Sequence, residues 1–442
     1  MLSRMLTLVL LLLLMSGVGR AADTDAEFQS AKQTFYKEMK KKSVSDRADA
    51  VTAFAEVART ETAEAILKRG FSDPEPQVRS AAQHGLAKLA ENADVAKFLF
   101  DDLKRSQRKP GTEQLVAELF RALAGTEDED LQTEILKLLD ESLRSPKGNV
   151  LLPMSLIDDF AVQGDAKAAR SVTLLARAKP FETKFGYRRC VIQAMTHIRD
   201  PLAMDFLIEH LPKLEGLVEH DAITYLQQVS KLRFRNDNNA SDWKSWWRLA
   251  RPTFVFPNAK DLAQVKPIDN QQLLFYGIPI CAKRVLFVLD TSGSMRGEPL
   301  AAAKRALNGT IEQLPEAVQF DVLFFDKNVA SWQPQLVPAA THFKQEAIRT
   351  VTARGMDRGT ASNTALNAAF TLDPEVIYFL SDGEPTDGRP LQIVSAITNL
   401  NRTRRVSIHT IGVVTERNGG YGLTQFMRPL AEQNYGTFQL VQ

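Results

Sequence analysis

Arg284-Val285-Leu286-Phe287-Val288-Leu289-Asp290-Thr291-Ser292-Gly293-Ser294 is the stretch that decides how this chain is read. Val285 to Leu289 is an unbroken apolar run. Such a run marks a strand covered on both faces, not one that alternates between core and solvent. It passes without a spacer into an aspartate and three hydroxyl side chains. In an open α/β sheet, ligands sit beyond the carboxyl ends of the strands, where loops from neighbouring strands converge.

Toward the C-terminus the hydrophobic period alternates. Leu300, Ala303, Leu307, Ile311 and Leu314 form one stripe of a helix, and Gln319 to Phe325 reads as a second strand. Phe343 to Val351 lies on a helix, Ser362 to Phe370 on another, and Val376 to Leu380 is a strand. A helix from Leu391 to Leu400, a strand from Val406 to Ile411, a helix from Leu423 to Glu432 and a strand from Thr437 to Val441 end the chain. Strand and helix in alternation predict an α/β doubly wound, mostly parallel, Rossmann-like sheet.

Two more segments of this half carry oxygen ligands. The strand ending at Leu380 runs into Ser381-Asp382-Gly383-Glu384-Pro385-Thr386, and Gly359-Thr360 opens the segment before a helix. Asp290 and Asp382, with the hydroxyls of Ser292, Ser294 and Thr360 and no His or Cys nearby, form a hard-oxygen set. It suits Mg²⁺ or Mn²⁺, and less well Ca²⁺ with its higher coordination number. Taken singly, each residue reads equally well as a strand-end cap or a turn residue.

Taken together, the residues resemble a known family. Asp290-Thr291-Ser292-Gly293-Ser294 is similar to the Asp-x-Ser-x-Ser motif of the metal-ion-dependent adhesion site in von Willebrand factor A-type (VWA) domains. Gly359-Thr360-Ala361-Ser362-Asn363-Thr364-Ala365-Leu366 resembles that family's Gly-Gly-Thr segment, with Arg358 in place of the first glycine. Asp382 matches the last metal-site residue. The likeness runs from about Lys283 to Val441. It implies direct metal contacts from Ser292 and Ser294, with Thr360 direct or through water and Asp290 and Asp382 acting largely through water, or one of the two directly. It also implies a protein partner that offers an Asp or Glu carboxylate to the remaining coordination position.

Enzymatic readings fit less well. An aspartate-nucleophile phosphatase needs a second acid two residues past the first, where Ser292 stands. The Gly-x-Ser-x-Gly elbow is absent around Ser292. A metal-dependent hydrolase needs a general base beside the ion; Glu298 and Glu384 are the nearby acids, and nothing in their spacing singles them out. The last alternative is a structural helical scaffold with a silent VWA domain.

Upstream of Arg251 the sequence is helical almost throughout, with apolar residues recurring at three and four. Asp46 reads as the N-cap of a helix to Ala58. Asp73-Pro74-Glu75-Pro76-Gln77-Val78-Arg79, continuing to Leu89, resembles a HEAT-type helical repeat, echoed by Arg188 to Met195 and by Asp200-Pro201-Leu202-Ala203. Leu131 to Leu143 keeps the period without the Asp-Pro turn. Stacked helix pairs of this kind expose one long surface, a place for a second protein partner or a plain spacer. Trp243, Trp246 and Trp247 share one helix face and read as an aromatic lid, not a ligand platform. Lys40-Lys41-Lys42 has no interleaved aromatics and reads as a solvated face, not a nucleic-acid patch.

Pro252, Pro257, Pro267 and Pro279 punctuate a connector, residues 251–282, in which Leu273-Leu274-Phe275-Tyr276 packs onto the next domain. At the N-terminus, Arg4, the apolar run from Met5 to Met15 and the small residues Gly19 and Ala21 predict an exported chain whose signal peptide is cleaved after Ala21. That run is shorter than the ~20 residues that span a bilayer. Among 442 residues, 44% hydrophobic and 24% charged content are those of a soluble globular protein, and a net charge of +2 exerts no bulk pull on nucleic acid. Cys190 and Cys281 lie in different halves, which predicts two buried free thiols. Asn239, Asn308 and Asn401 each open a glycosylation triplet, a pattern chance also supplies. The expected organisation is a signal peptide at 1–21, a HEAT-like array at 22–250, the connector, and a VWA domain at 283–442.

Overall fold

Strand β3 (Arg284–Asp290) is the centre of the sheet, and its side chains alternate between two cores. Val285, Phe287 and Leu289 face one hydrophobic cluster, and Leu286 and Val288 face the other. This is the period of two that a strand buried on both faces requires. The chain is described from a computed structural model over residues 25–107, 109, 112–144, 150–234, 240–257, 273–414 and 422–441. The expected signal peptide, Asn239 and residues 258–272 of the connector lie outside the described residues.

Beside β3 run β4 (Gln319–Phe325) and β7 (Val376–Ser381), both parallel to it, in registers that pair Asp290 with Phe325 and Leu289 with Leu380. β8 (Ser407–Val413) and β9 (Phe438–Val441) extend the parallel sheet beyond β7. On the other side β4 carries two short antiparallel partners, β5 (Val329–Ser331) and β6 (Val337–Pro338). Helices Glu298–Gln313 and Thr341–Ala353 cover one face. Helices Ser362–Thr371 and Pro390–Asn401 cover the other, with Phe426 and Leu430 from the helical turns at Leu423–Glu432. The expected doubly wound, mostly parallel sheet is the one observed, with an antiparallel edge added.

The chain upstream is helical from Asp25–Glu38 to Ala240–Ala250. Local chemistry sets several helix starts. Asn92 accepts from the backbone N–H groups of Asp94 and Val95, and the helix Ala93–Ser106 then buries Val95, Leu99, Phe100 and Leu103. The cap of Val44–Phe54 is Ser43, which accepts from the Asp46 N–H; Asp46 is not the cap, because it already lies inside the first turn. Asp73 of the Asp-Pro turn is buried and takes Arg47 bidentately, at 2.7 and 3.0 Å. Trp243 and Trp247 are buried, and the Trp247 indole donates to Asp205 at 2.7 Å, so this face packs as a lid. Among the described residues, no helix is long and apolar enough to cross a membrane.

The chain parts into two compact units between Leu131 and Gln132, not at the connector. The helices after Gln132 therefore share a unit with the sheet. Leu217, from the helix Gly216–Ser230, lies in the same core as Phe287 and Leu380. The connector supplies a hairpin, β1 (Leu274–Phe275) and β2 (Ile278–Pro279), turning at Tyr276-Gly277 with φ of 50° and 79°. Phe275 packs its ring against Phe287 and Tyr378, as expected of that segment. Cys190 and Cys281 are free thiols; Cys190 is buried, while Cys281 is only half-buried.

Candidate metal centre

β3 and β7 are neighbours, and the chain leaves them in opposite directions across the sheet, β4 on one side and β8 on the other. A crevice opens beyond the carboxyl ends at such a switch point. Asp290 ends β3, and Asp382 follows Ser381, the last residue of β7.

Four of the five expected residues meet in one hydrogen-bonded set. Asp290 is fully buried; its Oδ1 accepts from the Ser292 N–H at 2.8 Å and its Oδ2 from the Ser381 hydroxyl at 2.6 Å. Ser294 Oγ donates to Asp382 Oδ1 at 3.0 Å and lies 2.9 Å from Ser292 Oγ. Because the Ser294 proton is committed to Asp382, the Ser292 hydroxyl is the donor of that pair, and its own lone pairs stay available. Thr360 stands outside that set and is tied through its backbone to the loop past Asp382: its N–H donates to Thr386 Oγ1 at 2.8 Å, and the Thr386 N–H returns to its carbonyl at 2.9 Å. Its hydroxyl makes no hydrogen bond among the described residues.

Electrostatics single out Asp290. Burial pushes its carboxyl up to about 7, against the opposing effect of hydrogen bonds from Ser381 and Ser292, and the Asp382 carboxylate adds to the rise. Two carboxylates held together out of water want a cation or a proton. Among the described residues no three His, Cys, Asp or Glu side chains gather as a metal cage. A cation here would depend on the two carboxylates, the free hydroxyl oxygens and solvent, which is the incomplete, all-oxygen cage that Mg²⁺ accepts. The residues fit the group.

Sequence reasoning missed the supports of this set. Ser381 holds Asp290 as described and accepts the Gly383 N–H at 3.0 Å. Asp326, just past β4, is buried; it accepts the Thr291 hydroxyl at 3.2 Å and Arg354 at 2.9 Å, and its carbonyl takes the Ala361 N–H at 2.7 Å. It thereby ties the Asp290–Ser294 loop to the Thr360 segment. An acid directly after a strand's last apolar position was the available signal. Of the acids considered as a general base, Glu298 pairs with Arg305 and Glu384 is exposed.

The family model of the von Willebrand factor type A domain matches residues 283–440. That stretch is a VWA domain. Over 145 residues the chain is 34% identical to inter-alpha-trypsin inhibitor heavy chain H4 of Bos taurus, covering 28% of this chain and 16% of that one. It is 27% identical over 174 residues to heavy chain H2 of Homo sapiens, covering 36% and 18%. With von Willebrand factor A domain-containing protein 3A of Homo sapiens the identity is 32% over 162 residues, covering 36% and 13%. The chain thus spans only 13–18% of the length of these curated relatives. Among solved structures, a von Willebrand factor type A protein from Catenulispora acidiphila is 20% identical with a TM-score of 0.33, covering 37% of this chain and 40% of that one. Proximal thread matrix protein 1 from the mussel byssus, solved with a zinc-occupied MIDAS motif, is 21% identical with a TM-score of 0.28, covering 35% and 40%.

Proposed function

We propose that this chain is a non-catalytic, protein-binding protein whose VWA domain holds a divalent cation, Mg²⁺ or Mn²⁺ ahead of Ca²⁺, among Asp290, Ser292, Ser294, Thr360 and Asp382. The observation that carries the reading is the continuous set Ser292–Ser294–Asp382 beside the buried Asp290, at the carboxyl ends of two adjacent parallel strands. A cation held there supplies an open coordination position suited to a carboxylate from a partner's Asp or Glu. The chain's own residues orient the site: Ser381 and the Ser292 N–H fix the Asp290 carboxylate, and Ser294 fixes that of Asp382. Relatives named as heavy chains of a trypsin inhibitor, not as enzymes, support binding over turnover. We read the upstream helices as a HEAT-like scaffold for a second protein partner. We read residues 1–21 as a signal peptide that exports the protein, making it secreted or periplasmic, and an intact mass starting near Ala22 checks this.

The test is capture of the partner in Mg²⁺ and its release by EDTA, paired with calorimetric Mg²⁺ titration of Asp290→Ala and Thr360→Ala. Asp290→Ala should keep the wild-type far-UV spectrum and lose metal binding. Thr360→Ala should weaken metal binding less, yet abolish capture. Partner binding by both variants at wild-type strength in EDTA refutes the reading and moves recognition to the helical array or to another face.

A further inference from the structure

Each of the three segments that carry candidate ligands also carries one exposed arginine. Arg296 lies two residues past Ser294, Arg358 two before Thr360, and Arg389 ends the loop that begins at Asp382. Among the described residues none of the three guanidinium groups makes an ion pair. Most neighbouring charges are already engaged. Lys327 pairs with Asp357 at 2.8 Å, and Glu298 pairs with Arg305. Asp387 accepts from the N–H groups of Asn363 and Thr364 at 3.0 and 2.9 Å. Among the described residues of these three segments, Glu384 is the exposed acid left to oppose three cations.

Arg358 is the best placed of the three. Asp357 forms a parallel bridge with Ser292, and its N–H donates to the Thr291 carbonyl at 3.2 Å. Arg358 therefore springs from the wall of the site itself, between a residue paired with Ser292 and the candidate ligand Thr360. Gly359 follows in left-handed backbone, with φ of 84°.

We propose that Arg296, Arg358 and Arg389 form a rim that selects partners presenting an acidic segment with more than one carboxylate. One acid takes the candidate metal position, so the proposal rests on the metal reading above; the others meet the rim. A guanidinium fork matches a carboxylate bidentately, which a hydrated lysine does not. Exposed pairs are individually weak and screened by salt, so the rim acts on selectivity and association rate more than on total affinity.

The experiment uses the full chain and two synthetic peptides of equal length. One has a single aspartate in a Gly/Ser background, and the other has that aspartate flanked on both sides by Asp and Glu. Dissociation constants are read by fluorescence anisotropy, in Mg²⁺ and in EDTA. The proteins are wild type, Arg358→Gly, and the triple variant Arg296→Gln, Arg358→Gln, Arg389→Gln. Wild type should bind the acid-rich peptide about tenfold more tightly, the sum of a few weak exposed pairs. That advantage should shrink in Arg358→Gly, vanish in the triple variant and fade at high salt. An arginine-dependent advantage that ignores EDTA supports the rim and refutes the metal reading. Equal affinity for both peptides in Mg²⁺, each lost in EDTA, keeps the metal reading and overturns the rim. A mixed-sequence single-stranded DNA bound as tightly as the acid-rich peptide, and lost in the triple variant, also overturns it, because the rim would then be a general anion surface.

Discussion

Adding one methyl group at Gly186 should loosen the helices after Gln132 from the sheet they share a unit with. A Cβ there would lie 2.2 Å from the Thr403 carbonyl oxygen and 2.8 Å from the Arg404 carbonyl carbon and oxygen. All three are backbone atoms, so no side chain can swing aside. An ordinary carbon–oxygen contact is about 3.3 Å, so helix and turn must part by about 1 Å. The turn resists, because the Arg404 and Arg405 N–H groups bond to the Asn401 carbonyl at 3.0 and 2.9 Å. Arg189 donates to the Arg405 carbonyl, and Arg405 pairs with Asp158. Overpacking of this kind costs about 1–3 kcal/mol, and one strained hydrogen bond adds about 1. The better helix propensity of alanine returns up to about 1 kcal/mol. A net loss of roughly 1–3 kcal/mol should lower the melting temperature by about 2–5 °C in a unit of this size. Differential scanning calorimetry of the full chain measures it. A protease site built into residues 258–272 gives the second readout: cut wild type should elute as one species, and cut Gly186→Ala should separate. If the cut wild type separates, or Gly186→Ala melts with wild type, the reasoning fails.

Two further outcomes follow from buried carboxylates near the sheet. Burial pushes Asp321 up to about 6 from 3.8, so between those pH values the unfolded chain binds fewer protons than the folded one, and stability falls as pH rises through the window. The loss is on the order of 3 kcal/mol and is complete above about pH 7; Asp321→Asn should remove it, melting above wild type at pH 8 in EDTA but not at pH 4, and a lower melting point at pH 8 would count against this. Asp326→Asn should weaken Mg²⁺ affinity about tenfold with an unchanged far-UV spectrum, because it frees the Thr291 loop from Arg354; wild-type affinity in calorimetry would show that the loop is held by other means.

The parts legible in the sequence were those written contiguously. The continuous runs of β3 and Val376–Ser381 stand out because burial on both faces leaves no charged interruption, and in Gln319–Phe325 Asp321 alone breaks the run from Phe320. β5 and β6 have three and two residues, one of them Pro338, too few to show a period. β8 starts at Ser407, not Val406, after Arg405 turns the backbone left-handed at φ 54°, a conformation composition does not announce. The β1–β2 hairpin turns at Tyr276-Gly277, where an Asn-Gly signal would have been recognised. Helical periodicity shows which face of a helix is apolar but not what covers it, so the helices after Gln132 read as array members although Leu217 packs with the sheet. At the site, the five candidate ligands lie in short local motifs, whereas Ser381 and Asp326 act on Asp290 and Thr291 across 91 and 35 positions of sequence.

The sheet separates what holds this unit together from what it offers a partner. The helices grip the amino ends of the strands. A Cβ on Gly216 would meet Glu375 and Lys283, which immediately precede β7 and β3, and Gly186 meets Thr403 and Arg404 before β8. Glu375 is buried and accepts the Lys283 N–H at 3.0 Å, so a carboxylate pins this junction too. At the other ends of the same strands, Asp290 closes β3 and Asp382 lies just past β7. β3 has seven residues, and at ~3.3 Å each the two ends are ~20 Å apart. Changes that far apart, with no shared partner, should act independently. Gly186→Ala should therefore lower the melting temperature while leaving the Mg²⁺ titration as in wild type, and Asp290→Ala should do the reverse to metal binding without separating the cut chain. A metal affinity that falls in Gly186→Ala would mean that the strands transmit the strain, and that the helical grip tunes the site as well as holding the unit.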